Sequence, residues 1–123
     1  MKYKSLSLVK PNGSNIRDGK KTIEVRSWKP DIPLGEDLLI IENEKRLDRE
    51  GEVDPNGKAV AIVKIKNVRE FLESDIEAAF ASSWAPNYYS WELEDIRPLE
   101  DGEPLLAARG IYELDVSNRD LGD

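Results

Sequence analysis

The sequence predicts an α+β domain built as a small mixed β-barrel of about six strands with two or three short helices. Segments with the alternation or the apolar run of a β-strand recur along the whole chain, whereas helix signals are confined to short segments. So much strand beside so little helix favours a barrel over a parallel doubly wound sheet. The chain has 123 residues, enough for one hydrophobic core, so residues 1–123 are expected to form a single domain.

The first predicted elements are a strand and a short helix. Residues 3–9 alternate polar and apolar side chains, as a strand with one buried face requires. Asn12 and Ser14 are candidate caps for the helix that follows, because their side chains can accept hydrogen bonds from its first backbone N–H groups. Gly19 stands where the C-terminus of this helix favours a left-handed residue.

Two further strands lead into a polar segment. Residues 22–28 are predicted to form the second strand, and residues 38–41, which read LLII, a buried third strand. Residues 42–58 are polar and are expected to form an exposed ribbon or loop insertion. The turn of this ribbon is placed at Asn56-Gly57, a dipeptide typical of hairpin turns.

The longest predicted strand, residues 59–68, precedes a second helix. Ser74 and Glu77 have the spacing of a capping box, which indicates a helix N-terminus. The apolar stripe of this helix would consist of Ile76, Ala79 and Phe80.

The C-terminal part of the chain carries two more predicted strands. Residues 89–96 form the first of them, which ends at Pro98. A turn at Gly110 leads into the last strand, residues 111–116. Residues 117–123 are expected to form a frayed tail.

The charge of the chain limits its partners. The net charge is −7, from 18 Lys and Arg residues against 25 Asp and Glu residues. Non-specific binding of nucleic acid depends on clustered positive charge, so a long duplex is an improbable partner. A local cluster of cations can still override the average, which leaves a short or single-nucleotide ligand open.

Absent residue types limit the chemistry further. The sequence contains no cysteine and no histidine, so disulfides, thiol nucleophiles and zinc–thiolate sites are excluded, and no metal site or cofactor is expected. No run of 18 apolar residues spans a membrane, and the N-terminus lacks the apolar core of a secretory signal. We therefore expect a cytoplasmic protein with no membrane partner.

The second predicted strand has an unusual polar face. Because side chains alternate along a strand, Ile23 and Val25 point together towards the core. The opposite face carries a hydroxyl, a carboxylate, a guanidinium and an indole: Thr22, Glu24, Arg26 and Trp28. Two interpretations remain open at this point: a solvated strand face, where an ion pair contributes about 0–1 kcal/mol, or one wall of a binding cleft.

Aromatic residues on the strand at 89–96 allow a similar choice. Tyr89 and Trp91 share one face of it. Trp91 could belong to the core, or Tyr88, Tyr89 or Trp91 could form a stacking platform for a flat ring, which requires no net charge. Trp84, in the loop before this strand, could line the same rim.

Three segments of the chain form a pattern in a fixed order. Gly19, Lys21, Glu24 and Arg26 have the spacing G-x-K-x-x-E-x-R, and the segments GEDLLIIEN and YYSWELEDIRPL follow later in the chain. Together they resemble the signature and two strands of the ASCH (activating signal cointegrator homology) domains of the PUA-like superfamily. The resemblance covers about residues 3–116. It implies a β-barrel flanked by short helices, with a cleft that receives the charged motif and binds RNA or a nucleotide-like ligand.

The resemblance also raises an enzymatic alternative. A branch of small bacterial ASCH proteins is similar to amidohydrolases that deacetylate N4-acetylcytidine, with a threonine nucleophile at the position of Glu24 and an assisting lysine at that of Lys21. Another small ASCH type resembles a ribonuclease. Glu24 removes that nucleophile here, and Thr22 is displaced from its position by two residues.

Three functions follow as hypotheses. The first is binding of RNA or a modified nucleoside through Lys21, Thr22, Glu24 and Arg26, with stacking on Trp28 and on Tyr89 or Trp91. The second is hydrolysis of an acylated nucleoside or of RNA, with Lys21 and Glu24 as candidate catalytic residues. The third is a scaffold that binds another protein through its acidic surface or the segment at 42–58.

Overall fold

The computed structural model describes residues 1–100 and 102–116. It confirms the α+β class. The elements in chain order are β1 (Lys2–Val9), α1 (Asn12–Arg17), β2 (Ile23–Arg26), β3 (Asp37–Asn43), β4 (Val53–Glu70), a 3₁₀ turn (Glu73–Asp75), α2 (Ile76–Ala79), β5 (Tyr89–Pro98), β6 (Leu105–Ala108) and β7 (Ile111–Asp115). The predicted frayed tail at 117–123 lies outside the described residues. No helix in the described part of the chain is long and apolar enough to cross a membrane.

The strands form one mixed sheet. Six of them follow the order β2-β5-β4-β3-β1-β7, and β6 pairs with β4 beside this path. The β1–β3 pair is parallel, and the other pairs are antiparallel. Within the described residues, no strand ladder joins β2 to β1 or β7, so the closed barrel expected from the sequence is not seen.

The sheet nevertheless curls far enough for β2 to approach β1. The Nη2 atom of Arg26, on β2, lies 3.4 Å from the backbone oxygen of Ser7, on β1. These strands are separated by β5, β4 and β3 along the order of the sheet. A gap between β2 and β1, which we call the seam, therefore replaces the hydrogen bonds that would close a barrel.

Strand β3 lies at the centre of the core. Its residues Leu38–Ile41 are all buried. Because consecutive side chains face opposite sides, Leu38 and Ile40 pack into one hydrophobic cluster and Leu39 and Ile41 into another. The prediction of a buried strand at LLII is confirmed, and the physical reason is that both faces of the sheet are covered here.

The hairpin turn predicted at Asn56-Gly57 is wrong. Both residues lie inside β4, where Gly57 pairs with Leu105 of β6, a strand that the sequence analysis missed. A Cβ atom at Gly57 would lie 2.6 Å from Cγ2 of Ile41 and 2.8 Å from the Leu105 oxygen. Close packing of two strands, rather than a turn, therefore explains this glycine.

The first helix is capped from another strand. Neither predicted cap residue caps α1 through its own side chain. Instead, the backbone N–H and the hydroxyl of Ser14 donate hydrogen bonds of 2.6 and 2.7 Å to the Glu42 carboxylate, at the end of β3. Gly19 has a φ of +77°, so the prediction of a left-handed residue after the helix is confirmed.

The second helix is shorter than predicted and starts differently. Asp75, not Ser74, accepts the capping hydrogen bond: its carboxylate lies 2.9 Å from the backbone nitrogen of Leu72. The predicted apolar stripe is wrong at Phe80, which ends α2 in the left-handed conformation with a φ of +54°. The Phe80 side chain is 48% exposed.

Candidate functional site

A cleft of about 1010 Å³ opens at the seam. Its walls include Ser7–Val9 of β1 and Glu24–Arg26 of β2. Three further segments contribute to it: Ala79–Ser83 at the end of α2, Arg46–Asp48 between β3 and β4, and Ala108–Gly110 at the end of β6. The place where the barrel fails to close is thus the place where side chains from distant parts of the sequence meet.

Glu24 lies buried in this cleft between two cations. Its Oε1 atom is 3.3 Å from Nζ of Lys21, and its Oε2 atom is 2.7 Å from Nε of Arg26. The side chains of Lys21 and Glu24 are 5% and 7% exposed, whereas that of Arg26 is 25% exposed. We call these three residues the charged triad. The triad contains two cations and one carboxylate, so it carries a net positive charge in a site with limited access to water.

Local structure before β2 fixes the position of Lys21. Its ammonium group also donates a hydrogen bond to the Ala79 carbonyl at the end of α2. The backbone N–H of Lys21 donates to Asn15 of α1 at 3.0 Å, and the next backbone N–H, of Thr22, donates to Ala78 at 3.0 Å. Two helices and a strand edge therefore hold the buried lysine, which explains why it does not extend into water.

Arg26 connects the triad to an aromatic pair. Its guanidinium carbon lies 5.8 Å from the centre of the Trp28 ring, within cation–π range. Trp28 in turn contacts Trp91 edge to face, with ring centres 5.0 Å apart. Trp28 lines the cleft, whereas Trp91 is completely buried behind it. The core indole therefore supports the ring that faces the cleft.

The cleft is positive although the chain is acidic. Its lining includes four cationic side chains, Lys21, Arg26, Arg46 and Arg109, and two carboxylates, Glu24 and Asp48. The net charge of the whole chain is −7. Since fields are focused inside clefts, this local excess of positive charge favours an anionic or electron-rich ligand there.

A second ion-pair network joins β4 and β5 to the 3₁₀ turn before α2. Arg69 binds both oxygens of Asp75, at 2.8 and 2.9 Å, and donates through Nε to Glu92 at 2.7 Å. The Asp75 carboxylate also accepts hydrogen bonds from Leu72 and Ser90. The Arg69 contact, helped by those of Leu72 and Ser90, lowers the pKa of Asp75 to about 2, although burial opposes the shift. This network fixes the start of the segment that carries Ala79 and Phe80 into the cleft.

The structure brings four of the seven predicted binding residues into one cleft: Lys21, Glu24, Arg26 and Trp28. Thr22 is exposed and does not line it. Tyr89 packs against the core, with the Lys29 ammonium 5.3 Å from its ring centre. Trp91 is 0% exposed, so in this structure no ring can stack on it. The binding roles of these residues stay predictions.

Three lining residues, Phe80, Arg46 and Arg109, were not proposed as binding residues from the sequence. Of the aromatic candidates Tyr88, Tyr89 and Trp91, only Tyr88 lines the cleft. Arg46 lies in a polar segment and Arg109 beside the turn at Gly110. Neither position has a distinguishing pattern, because only the curl of the sheet brings the two segments together.

Comparisons with known proteins agree on the family and the fold. The ASCH domain family model matches residues 6–103. The crystal structure of ASCH from Zymomonas mobilis is similar, with a TM-score of 0.58 and 17% identity over 84% of this chain and 72% of that one. A point mutant of the same protein gives a TM-score of 0.55 and 17% identity over 84% of this chain and 74% of that one. A search of curated proteins found no significant match.

Proposed function

The chain belongs to the ASCH domain family, and from this premise we propose that it binds RNA, with one nucleotide or modified nucleoside held in the cleft at the seam. The observation that carries the proposal is the charged triad. A buried carboxylate held by a lysine and an arginine lies in an open cleft beside an indole ring.

Each triad residue has a suitable role in recognising a base. The Glu24 carboxylate can accept a hydrogen bond from an exocyclic amine, as carboxylates do from the amino group of cytosine. Its ion pairs leave acceptor capacity, because each carboxylate oxygen has two lone pairs. Arg26 uses Nε and Nη2 in its contacts with the protein, so its other N–H donors can reach a carbonyl oxygen or a phosphate. Trp28 offers a ring for stacking.

The size of the positive site suits a short ligand. A protein that follows a long phosphate backbone needs many exposed cations, and the net charge of −7 opposes that. A single nucleotide needs only one or two contacts between its phosphate and the cations of the protein. For single strands the slope of log K against log salt is about −0.7 per neutralised phosphate, so we expect a slope between about −0.7 and −1.4.

Hydrolysis has less support than binding. Both oxygens of Glu24 are engaged by cations, so this carboxylate is poorly placed to remove a proton from a nucleophile. Lys21, which matches the assisting lysine of the deacetylase-like branch, forms an ion pair with Glu24 and donates a hydrogen bond to a backbone carbonyl. We therefore propose a binding protein, and the intactness of the RNA after incubation tests the enzymatic alternative.

Calorimetric titration with cytidine 5′-monophosphate and a six-nucleotide single-stranded RNA tests the proposal. The parent protein should bind both, and Arg26→Lys should weaken binding about tenfold, because lysine cannot reproduce the planar fork of donors. Arg49→Lys is the matched control, since Arg49 is exposed and lies outside the cleft. Binding of neither ligand, or equal affinities for the two variants, would overturn the proposal.

A further inference from the structure

We propose that the cleft contains a second nucleotide subsite, in which Phe80 and Tyr88 stack against a neighbouring base and Arg109 binds its phosphate. This inference rests on the proposed function and extends it: the ligand would be an oligonucleotide of at least two residues rather than an isolated nucleoside. None of these three residues belongs to the charged triad.

Exposed apolar side chains are concentrated beside the cleft. Among the described residues, eight large hydrophobic side chains are exposed, and four of them lie between residues 72 and 88. Phe80 and Tyr88, with exposed fractions of 48% and 39%, also line the cleft. An aromatic ring that faces a positively charged cleft is suited to stacking against a base, since every base offers a flat π-face.

The backbone at Phe80 gives an independent indication. Its φ of +54° is a conformation that glycine or asparagine adopts more readily than a bulky residue. The position closes α2 through a hydrogen bond from the Phe80 N–H to Glu77, 3.2 Å long. Glycine would serve this purpose with less strain, so the phenylalanine is better explained by what its side chain does in the cleft.

Hydrogen bonds within the protein hold the backbone that carries Tyr88. The Phe71 N–H donates to the backbone carbonyl of Tyr88 at 3.0 Å, and the Trp84 indole N–H donates to the backbone carbonyl of Phe71 at 3.0 Å. The Phe71 side chain is buried beneath them. Because this backbone is held before a ligand binds, stacking on Tyr88 costs less ordering of the protein.

A second part of the cleft lining supplies a cation. Arg109 lies in the turn between β6 and β7, is exposed, and has no ion-pair partner among residues 1–100 and 102–116. Arg46, the other exposed arginine in the lining, is paired with Asp48 at 2.9 Å. Arg109 therefore has guanidinium N–H groups that can donate to a phosphate, a contact that suits a guanidinium.

The combination of rings and cations favours an oligonucleotide over a peptide. A nucleotide carries both a flat ring and an anion, and the subsite provides a partner for each. The adjacent triad would hold the first base, so consecutive nucleotides would occupy adjoining parts of one cleft.

The test compares cytidine 5′-monophosphate with a 5′-phosphorylated cytidine trinucleotide by calorimetry. The parent protein should bind the trinucleotide about tenfold more tightly, the size of one base–aromatic stacking contribution. Phe80→Gly and Tyr88→Ala should remove this gain and leave binding of the monophosphate unchanged. Glycine suits the left-handed backbone at this position, so loss of folding is not expected for Phe80→Gly. Leu106→Ala, an exposed apolar residue outside the cleft, is the control.

Arg109→Gln gives a second readout. It should make the slope of log K against log salt for the trinucleotide less steep by about 0.7, whereas Arg49→Gln should not.

If the monophosphate binds but the trinucleotide gains nothing, or if the gain survives in Phe80→Gly and Tyr88→Ala, the second subsite is wrong and the proposed function stands. If the trinucleotide depends on Phe80 and Tyr88 while Arg26→Lys changes nothing, the subsite is supported and the triad proposal fails. Absence of all binding overturns both.

Discussion

Replacing Glu24 with glutamine is expected to lower the free energy of unfolding by about 3–5 kcal/mol, because removal of one partner leaves buried charge uncompensated. The Lys21 side chain is 5% exposed and would keep its contact with the Ala79 carbonyl but lose its charged partner. Arg26 is more exposed and could turn towards water, so most of the loss should arise at Lys21. Urea unfolding at pH 7 measures the change.

A double variant distinguishes buried charge from simple loss of packing. Lys21→Met combined with Glu24→Gln removes both buried charges and should recover a substantial part of the stability that Glu24→Gln loses. Glu50→Gln changes an exposed carboxylate and should alter the free energy of unfolding by less than about 0.5 kcal/mol. If Glu24→Gln were as mild as Glu50→Gln, the buried triad described here would be wrong.

Acid should destabilise the protein in a window set by Asp75. The pKa of Asp75 is lowered from 3.8 to about 2 in the folded chain. Its contribution is therefore fully present above about pH 4, falls as the pH drops towards 2, and is absent below that. One pKa unit corresponds to about 1.4 kcal/mol, so this contribution is about 2–2.5 kcal/mol. Denaturant unfolding at pH values between 2 and 5 measures it.

The variant Asp75→Asn should be less stable than the parent at pH 7 and should lose less stability between pH 4 and pH 2. Glu73→Gln, an exposed change in the same 3₁₀ turn, should leave the dependence of the unfolding free energy on pH as it is in the parent. If that dependence were also unchanged in Asp75→Asn, another group would control the acid response. Because Asp75 anchors the segment that carries Phe80, its loss should also weaken the trinucleotide gain.

The parity of side chains along β2 placed Glu24 and Arg26 together, but Thr22 of the same predicted face lies outside the cleft and Val25 of the opposite face lines it. The signature residues Lys21, Glu24 and Arg26 are close in sequence, so strand geometry alone places the last two on one face. Sequence could not show that Glu24 is buried at 5% exposure. That burial depends on elements distant in sequence, such as α2, which contacts β2 and accepts a hydrogen bond from Lys21.

Sequence could not decide which of the aromatic residues Tyr88, Tyr89 and Trp91 faces the cleft, for a physical reason of the same kind. Tyr89 and Trp91 share a face of β5, but this face packs on the core, and Trp91 supports Trp28 from behind. The exposed ring is that of Tyr88, which precedes the strand. A strand pattern defines which residues face together but not which face is covered, since this depends on how the sheet curls.

The segment around Gly57 shows the limit of turn signals. Asn-Gly is a strong hairpin signal because both residues accept positive φ angles. In this chain the glycine is used for a close approach between β4 and the short strand β6, which has little pattern of its own. Local sequence could not distinguish these two uses, since the second depends on a partner strand about fifty residues away.

The most direct test of the proposed function is a titration of ¹⁵N-labelled protein with cytidine 5′-monophosphate, followed by backbone amide chemical shifts. It requires no substitution and therefore no assumption about folding. Binding at the seam predicts that the largest shifts occur at Ser7, Glu24 and Arg26 and their neighbours, on both sides of the gap between β1 and β2. Shifts concentrated on another surface, such as the depression formed by Lys2, Glu36 and Glu113, or no shifts at millimolar ligand, would contradict it.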